Sequence, residues 1–242
     1  MEDGNTTGKT FASIPVPETA SLGRNSFYVI TLTVVAGFVE VTGYMDCEHL
    51  YASIMTGNTV QLGMSLTTAD WIKFGLVGYA ITLFFLACSI ASIIRRHLAN
   101  PVMELGIMSG VLILASVVRL FPGLNLMLEL PLLSLALAMQ GETIARFGGV
   151  SLQTLVVTNN IVKFSDAFTG RFISRRYLEK TGQRVPTLSE AVLPGLSWLA
   201  YSISAALAAI INKTTQISLL IPAVLILLVA SDLVKLGKER PL

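Results

Sequence analysis

"MTGNTVQLG", residues 55–63, interrupts a chain that is otherwise apolar enough for a bilayer. Two glycines, an asparagine, two threonines and a glutamine stand together here, with apolar runs on both sides. Facing lipid, those amides and hydroxyls would lose their hydrogen bonds to water and gain none in return. Broken or polar backbone at membrane depth persists only where protein or a water-filled cavity covers it. The stretch therefore reads as part of a broken or re-entrant segment, about residues 49–67.

The surroundings give that reading its setting. The chain has 242 residues, 53% hydrophobic and only 13% charged, with a mean hydropathy of +0.69. Soluble domains carry about 25% charged residues. A spanning helix needs about 20 mostly apolar residues, and six segments meet that length: 27–47, 72–94, 102–121, 124–145, 191–211 and 216–234. The expected fold is an all-α, multi-pass integral membrane protein. Residues 1–24 are polar, with two prolines and no apolar run. They read as a disordered cytoplasmic tail rather than a signal peptide, leaving 25–242 as the membrane domain. Cys47 and Cys88 stand alone, as free thiols in or beside spans.

Lysine and arginine set the orientation. The connection 170–190 carries Arg171, Arg175, Arg176, Lys180 and Arg184, Lys235, Lys238 and Arg240 close the chain, and Arg95 and Arg96 end the second span. With six crossings and both termini cytoplasmic, Lys73, Arg119 and Lys213 are the basic residues left outside. The net charge of +2 then reflects topology and excludes a nucleic-acid partner. The plasma membrane is the expected location and the lipid bilayer the certain partner.

A second polar stretch, "VTNNIVKFS" at 157–165, follows the first at an offset of 102 residues. Thr56 falls on Thr158, Asn58 on Asn160, Val60 on Val162, and Glu40 on Glu142. Two related halves are expected, about 25–121 and 122–242. If both polar segments (49–67 and 151–168) crossed, there would be eight spans and parallel halves. Their composition favours six spans, two broken segments and inverted halves, a recurring transporter design with the solute near the midplane.

"GFVEVTGY" (37–44), "MTGNTVQLG", "AMQGETIARFGG" (138–149) and "VVTNN" (156–160) also resemble the YoaK family of membrane proteins, a domain of unknown function. The likeness covers about residues 28–236 and is most specific in the Met-Thr-Gly-Asn run. That family usually has an aspartate where Glu40 stands and an amide where Glu142 stands. The resemblance implies a membrane fold and names no substrate.

The expected activity is that of a transporter or permease for a small polar or anionic solute; the competing class is a non-transporting membrane scaffold. Thr56, Gly57, Asn58 and Thr59, with Thr158, Asn159 and Asn160, are the candidate solute-binding residues, because amides and hydroxyls beside a helix start suit an anion. Two such starts are expected to face each other across one central site. Acids inside spans are costly and point to function, which makes Glu40 the candidate for proton coupling. Glu142 has Arg146 four residues on, a spacing that pairs charges along one helix.

"MDCEHL" (45–50) reads as an interfacial boundary, since four adjacent ligand types cannot converge on one metal. No catalytic triad, nucleotide loop, CxxC or HExxH occurs, so neither an enzyme nor a cofactor is expected. "GIMSG" (106–110) reads as close helix packing rather than a dimer motif, and a homo-oligomer is compatible with the rest.

Overall fold

The computed structural model describes residues 22–98, 101–143, 146–147, 150–151 and 157–238. In chain order its elements are α1 (Leu22–Asp46), α2 (Met55–Thr67), α3 (Trp71–His97), α4 (Pro101–Val118), α5 (Leu130–Thr143), β1 (Arg146–Phe147), β2 (Val150–Ser151), α6 (Val157–Phe168), α7 (Arg175–Thr181), α8 (Leu188–Ile211) and α9 (Leu220–Lys238). A 3₁₀ turn (Pro122–Leu124) and a π turn (Asn125–Glu129) lead into α5. The two strands are a minimal antiparallel pair in an otherwise helical chain.

All six apolar segments lie largely in helices. Among the described residues, Trp71–His97, Pro122–Gly141 and Leu188–Ile211 are long and apolar enough to cross a membrane, and Val102–Val118 is a shorter apolar helix. This is an α-helical membrane protein. Its helices are apolar on both sides, which is what an oily solvent selects. Tyr28, Leu32, Val35 and Val39 line the inner face of α1 at helical spacing, against a core that includes Leu105, Met108 and Leu112 of α4 and Leu133 and Leu137 of α5. Outward, Ile72, Phe85, Ile203 and Ile210 are exposed where lipid would lie.

Helix α1 packs on α8, α9 and α5; α5 packs on α3 and α4; α4 meets α9. The short helix α2 lies on α3, and α6 lies on α8. Side-chain bonds fix the directions of the long helices. The end of α1 is bonded to the end of α4 (Asp46 to Arg119) and to the approach to α5 (Asn125 to the Asp46 carbonyl). Glu48, just after α1, takes a bond from Lys73 at the start of α3. Asn212, capping the end of α8, reaches Thr42 of α1, and Ser218, just before α9, reaches Arg119. Thus α1, α4 and α8 run toward this end, here called the Asp46 face, while α3, α5 and α9 run away from it. At the other end Tyr28 of α1 donates to Asp232 of α9.

Gly37 sets the crossing of α1 over α8. A Cβ there would lie 2.8 Å from the Tyr201 carbonyl oxygen and would also meet the Ser204 hydroxyl. The hydroxyl can rotate away, but backbone cannot. Gly37→Ala should therefore cost about 1–3 kcal/mol of overpacking, seen as a lower melting temperature in detergent. The GIMSG expectation is corrected: Gly106 and Gly110 are exposed, and a Cβ on either would meet nothing within 4 Å. Their face points away from the described helices of the chain, so the small residues there permit no packing inside the bundle.

Candidate functional site

After α1 the chain reverses through Glu48 (φ 53°) and His49 (φ 59°), two residues with side chains in the left-handed region. Each costs about 1–2 kcal/mol there, so neighbours must hold the turn. Lys73 Nζ donates to the Glu48 carbonyl at 2.6 Å and Gln61 Nε2 to the His49 carbonyl at 3.2 Å. Tyr44 sets its ring against both His49 and Tyr51. The chain then sinks back along α1 as far as Glu40, six residues from the end of the helix, a depth of about 9 Å.

There Glu40 holds it. One carboxylate oxygen accepts the backbone N–H groups of Ser53 (3.1 Å) and Ile54 (3.3 Å), and the other accepts the Ser53 hydroxyl at 2.6 Å. Ile54 is the N-cap of α2 and has no oxygen of its own to offer the free N–H groups of a helix start. A glutamate from α1 supplies the acceptor oxygens that the free N–H groups of the helix start need. From this point α2, 13 residues and about 20 Å long, climbs back toward the end where α1 stopped.

Asn58 closes the loop. Its Oδ1 accepts the Tyr51 N–H at 3.0 Å and its Nδ2 donates to the Tyr51 carbonyl at 2.8 Å, while Ser134 of α5 donates to the Ala52 carbonyl at 3.0 Å. Gly57 is needed because the Tyr51 ring covers it: a Cβ would fall 2.7 Å from the ring. Thr59 donates to the Met55 carbonyl of its own helix, and Thr56 is exposed.

In α6, Asn160 is buried and donates to Ser197 of α8, whose hydroxyl is 3.0 Å from that of Thr33 on α1. Gln140 of α5 donates to the Leu32 carbonyl at 2.7 Å. A polar seam thus joins α6, α8, α1 and α5. Thr158 is exposed and Asn159 half-buried.

These positions correct several expectations. Asn58 is bonded to Tyr51 and Asn160 to Ser197, while Thr56 and Thr158 are exposed. Asn58 and Asn160 are each turned inward from a peripheral helix, on α3 and α8 respectively, and both threonines face outward. The start of α2 is occupied by the Glu40 carboxyl. The start of α6 adjoins residues 152–156, which lie outside the described residues, as does the side chain of Glu142. Helix α5 ends at Thr143 and Arg146 sits in β1, so the two do not share one helix face.

A second polar cluster was not read from the sequence. At the Asp46 face, Arg119 donates through Nε and Nη2 to the two Asp46 oxygens, and through Nη1 to Ser218 and to the Thr215 and Gln216 carbonyls. Glu129, wholly buried in the π turn before α5, faces the same place. A signal existed: "LMLELPLL" (126–133) carries an acid in an apolar run, and Arg119 was a basic residue left on the wrong side.

A buried glutamate, a polar segment and apolar helices long enough to cross a bilayer are a membrane protein's architecture, and the match to known sequences agrees. A model described as "Protein of unknown function (DUF1275)" covers residues 28–231. The chain belongs to this DUF1275 family. The UPF0700 transmembrane protein YoaK of Bacillus subtilis (strain 168) is 22% identical over 199 residues, spanning 79% of this chain and 85% of that one. No solved structure matches. Within the family's matched region lie the Glu40 anchor, both polar segments and the Asp46–Arg119–Glu129 cluster.

Proposed function

We propose that this DUF1275 protein is a permease for a small polar or anionic solute, built from two inverted halves, 25–121 and 122–242. Each half has three crossings and one broken segment, giving six crossings. Exchanging α1 with α5, α2 with α6, α3 with α8 and α4 with α9 carries the main packed pairs into one another: α1 on α8 becomes α5 on α3, α2 on α3 becomes α6 on α8, and α4 on α5 becomes α9 on α1. Each exchanged pair of long helices runs in opposite directions, as an axis in the membrane plane requires.

The observation that carries the reading is the Glu40 carboxylate at the start of α2. It stands where a solute anion would bind, tethered to a neighbouring helix. A competing solute would release Glu40, and with it segment 47–54, which gives a moving part its cause. Glu40→Gln keeps the shape and removes the charge, so an entering anion meets a weaker competitor. Uptake of a panel of small labelled anions into proteoliposomes should show the half-saturating concentration falling about tenfold in Glu40→Gln, one charge-assisted bond's worth of competition. Unchanged uptake in a folded Glu40→Gln protein removes this mechanism.

One observation favours the scaffold reading: both ends of the Asn58 amide are engaged by Tyr51. No uptake of any anion by folded wild type would decide for it.

The basic residues at 95–96, 171–184 and 235–238 lie at or beyond helix ends opposite the Asp46 face, which supports a cytoplasmic assignment for that end in a plasma-membrane protein. Glycosylation mapping should modify acceptor loops inserted near 68–70 and none inserted at 175–185. Native Asn212, although in an Asn-Lys-Thr sequon, should stay bare, since its amide is bonded to Thr42 and Ser218. Sugar in the 175–185 loop reverses the orientation.

A further inference from the structure

We propose that Asp46 and Glu129 hold one exchangeable proton between them at the Asp46 face, with Arg119 fixing the Asp46 side. Arg119 takes both Asp46 oxygens in a fork, as guanidinium and carboxylate do best. That leaves Glu129, fully buried, with no donor for either oxygen among the described residues. Asn125, four residues earlier on the same turn, donates to the Asp46 carbonyl and so sets Glu129 against the end of α1. Glu129, one turn beyond that bond and without a donor, is thereby placed at the end of α1 where Asp46 stands.

Two carboxylates in contact are acceptor against acceptor. The contact becomes a hydrogen bond when one of them carries a proton, which like-charged acids in close quarters are known to share. Charge counting agrees: two acids and one arginine leave a buried cluster one positive charge short. Burying an uncompensated charge is costly. The other titratable groups facing the cluster do not supply the charge. Cys47, in the following turn, donates to the Asn125 carbonyl; Glu48 adds negative charge nearby; Tyr79 of α3 donates to the Leu126 carbonyl; and Lys73 is engaged by the Glu48 carbonyl. From the turn before α9, two carbonyls and the Ser218 hydroxyl reach Arg119.

The site differs from the Glu40 anchor, whose carboxylate accepts from three donors, the Ser53 and Ile54 N–H groups and the Ser53 hydroxyl. The proton comes from and returns to water at the Asp46 face; on leaving, it forces Asp46 and Glu129 apart. Because Asp46, Arg119 and Ser218 join α1, α4 and the approach to α9, the proton state is coupled to how these helices are held at that end. The proposal goes beyond the permease reading and does not rest on it.

The test is infrared titration of the full-length protein in lipid nanodiscs, in sodium-free and sodium-containing buffer. Wild type should show a protonated-carboxyl C=O band at neutral pH that shifts in D₂O and disappears as pH rises, equally in both buffers. Glu129→Gln should lose the band and still fold, because its amide N–H₂ can donate to Asp46 as the shared proton did; Glu40→Gln should keep the band. The proposal is overturned by a wild type lacking the band at every pH where it stays folded, by a band that survives Glu129→Gln, or by a band displaced by sodium at constant pH. It is equally overturned if Glu129→Gln fails to fold while Glu40→Gln folds. None of these readings involves uptake, so this proposal and the permease can fail separately.

Discussion

Arg119→Leu should cost about 3–5 kcal/mol, the largest loss from any single substitution in this protein. Breaking a buried pair by removing one partner leaves an uncompensated charge behind, and here Asp46 loses the guanidinium bonded to it. Arg119 also donates to Ser218 and to the Thr215 and Gln216 carbonyls. The substitution therefore frees α4, α1 and the approach to α9 from one another at the same end. Arg119→Lys keeps the charge and loses the fork, so its loss should fall between wild type and leucine. Denaturant titration in detergent, with all three proteins at one pH, checks the order. Equal stability of wild type and Arg119→Leu would mean that helix packing alone holds the Asp46 face.

Asn58→Leu should be the second most damaging change, at about 2–5 kcal/mol. The side chain satisfies both the N–H and the C=O of Tyr51 inside the bundle, and each buried backbone group left alone costs about 1–3 kcal/mol. Leucine also carries an apolar branch into a site shaped around an amide. Asn58→Asp retains the acceptor for the Tyr51 N–H and loses the donor for its carbonyl, so about half the effect is expected. Hydrogen exchange at the Tyr51 amide gives the local readout: it should accelerate in Asn58→Leu and stay near wild type in Asn58→Asp. The substitution acts on the fold of segment 47–54 first, and any loss of uptake follows from that.

The polar run at 55–63 conflicts with lipid and so reads as broken backbone, yet it is the continuous helix α2, and the irregular backbone lies just before it at 47–54. The apolar helices were legible because their composition answers to the bilayer alone. Glu40 stood out as an acid in a span, yet its partner did not. Ser53 and Ile54 are 13 and 14 residues away, and only the reversal at Glu48 and His49 carries them back to it. Asn58 was noticed for its position and misread for its role, since an amide bonded to nearby backbone has the same sequence as one lining a cavity.

Arg119 and Asp46 lie 73 positions apart, and Arg119 and Ser218 lie 99 apart. Their meeting depends on helix directions and on which faces turn inward. GIMSG on α4 shows the limit of such patterns: the spacing allows close approach, and the structure turns it outward. Sequence by itself determined what every local stretch of this chain must do in oil, namely span it, leave it, or bury its polar backbone. The tertiary structure decided which distant groups satisfy one another, because a hydrogen bond or ion pair is set by a few ångströms of separation that no local pattern encodes.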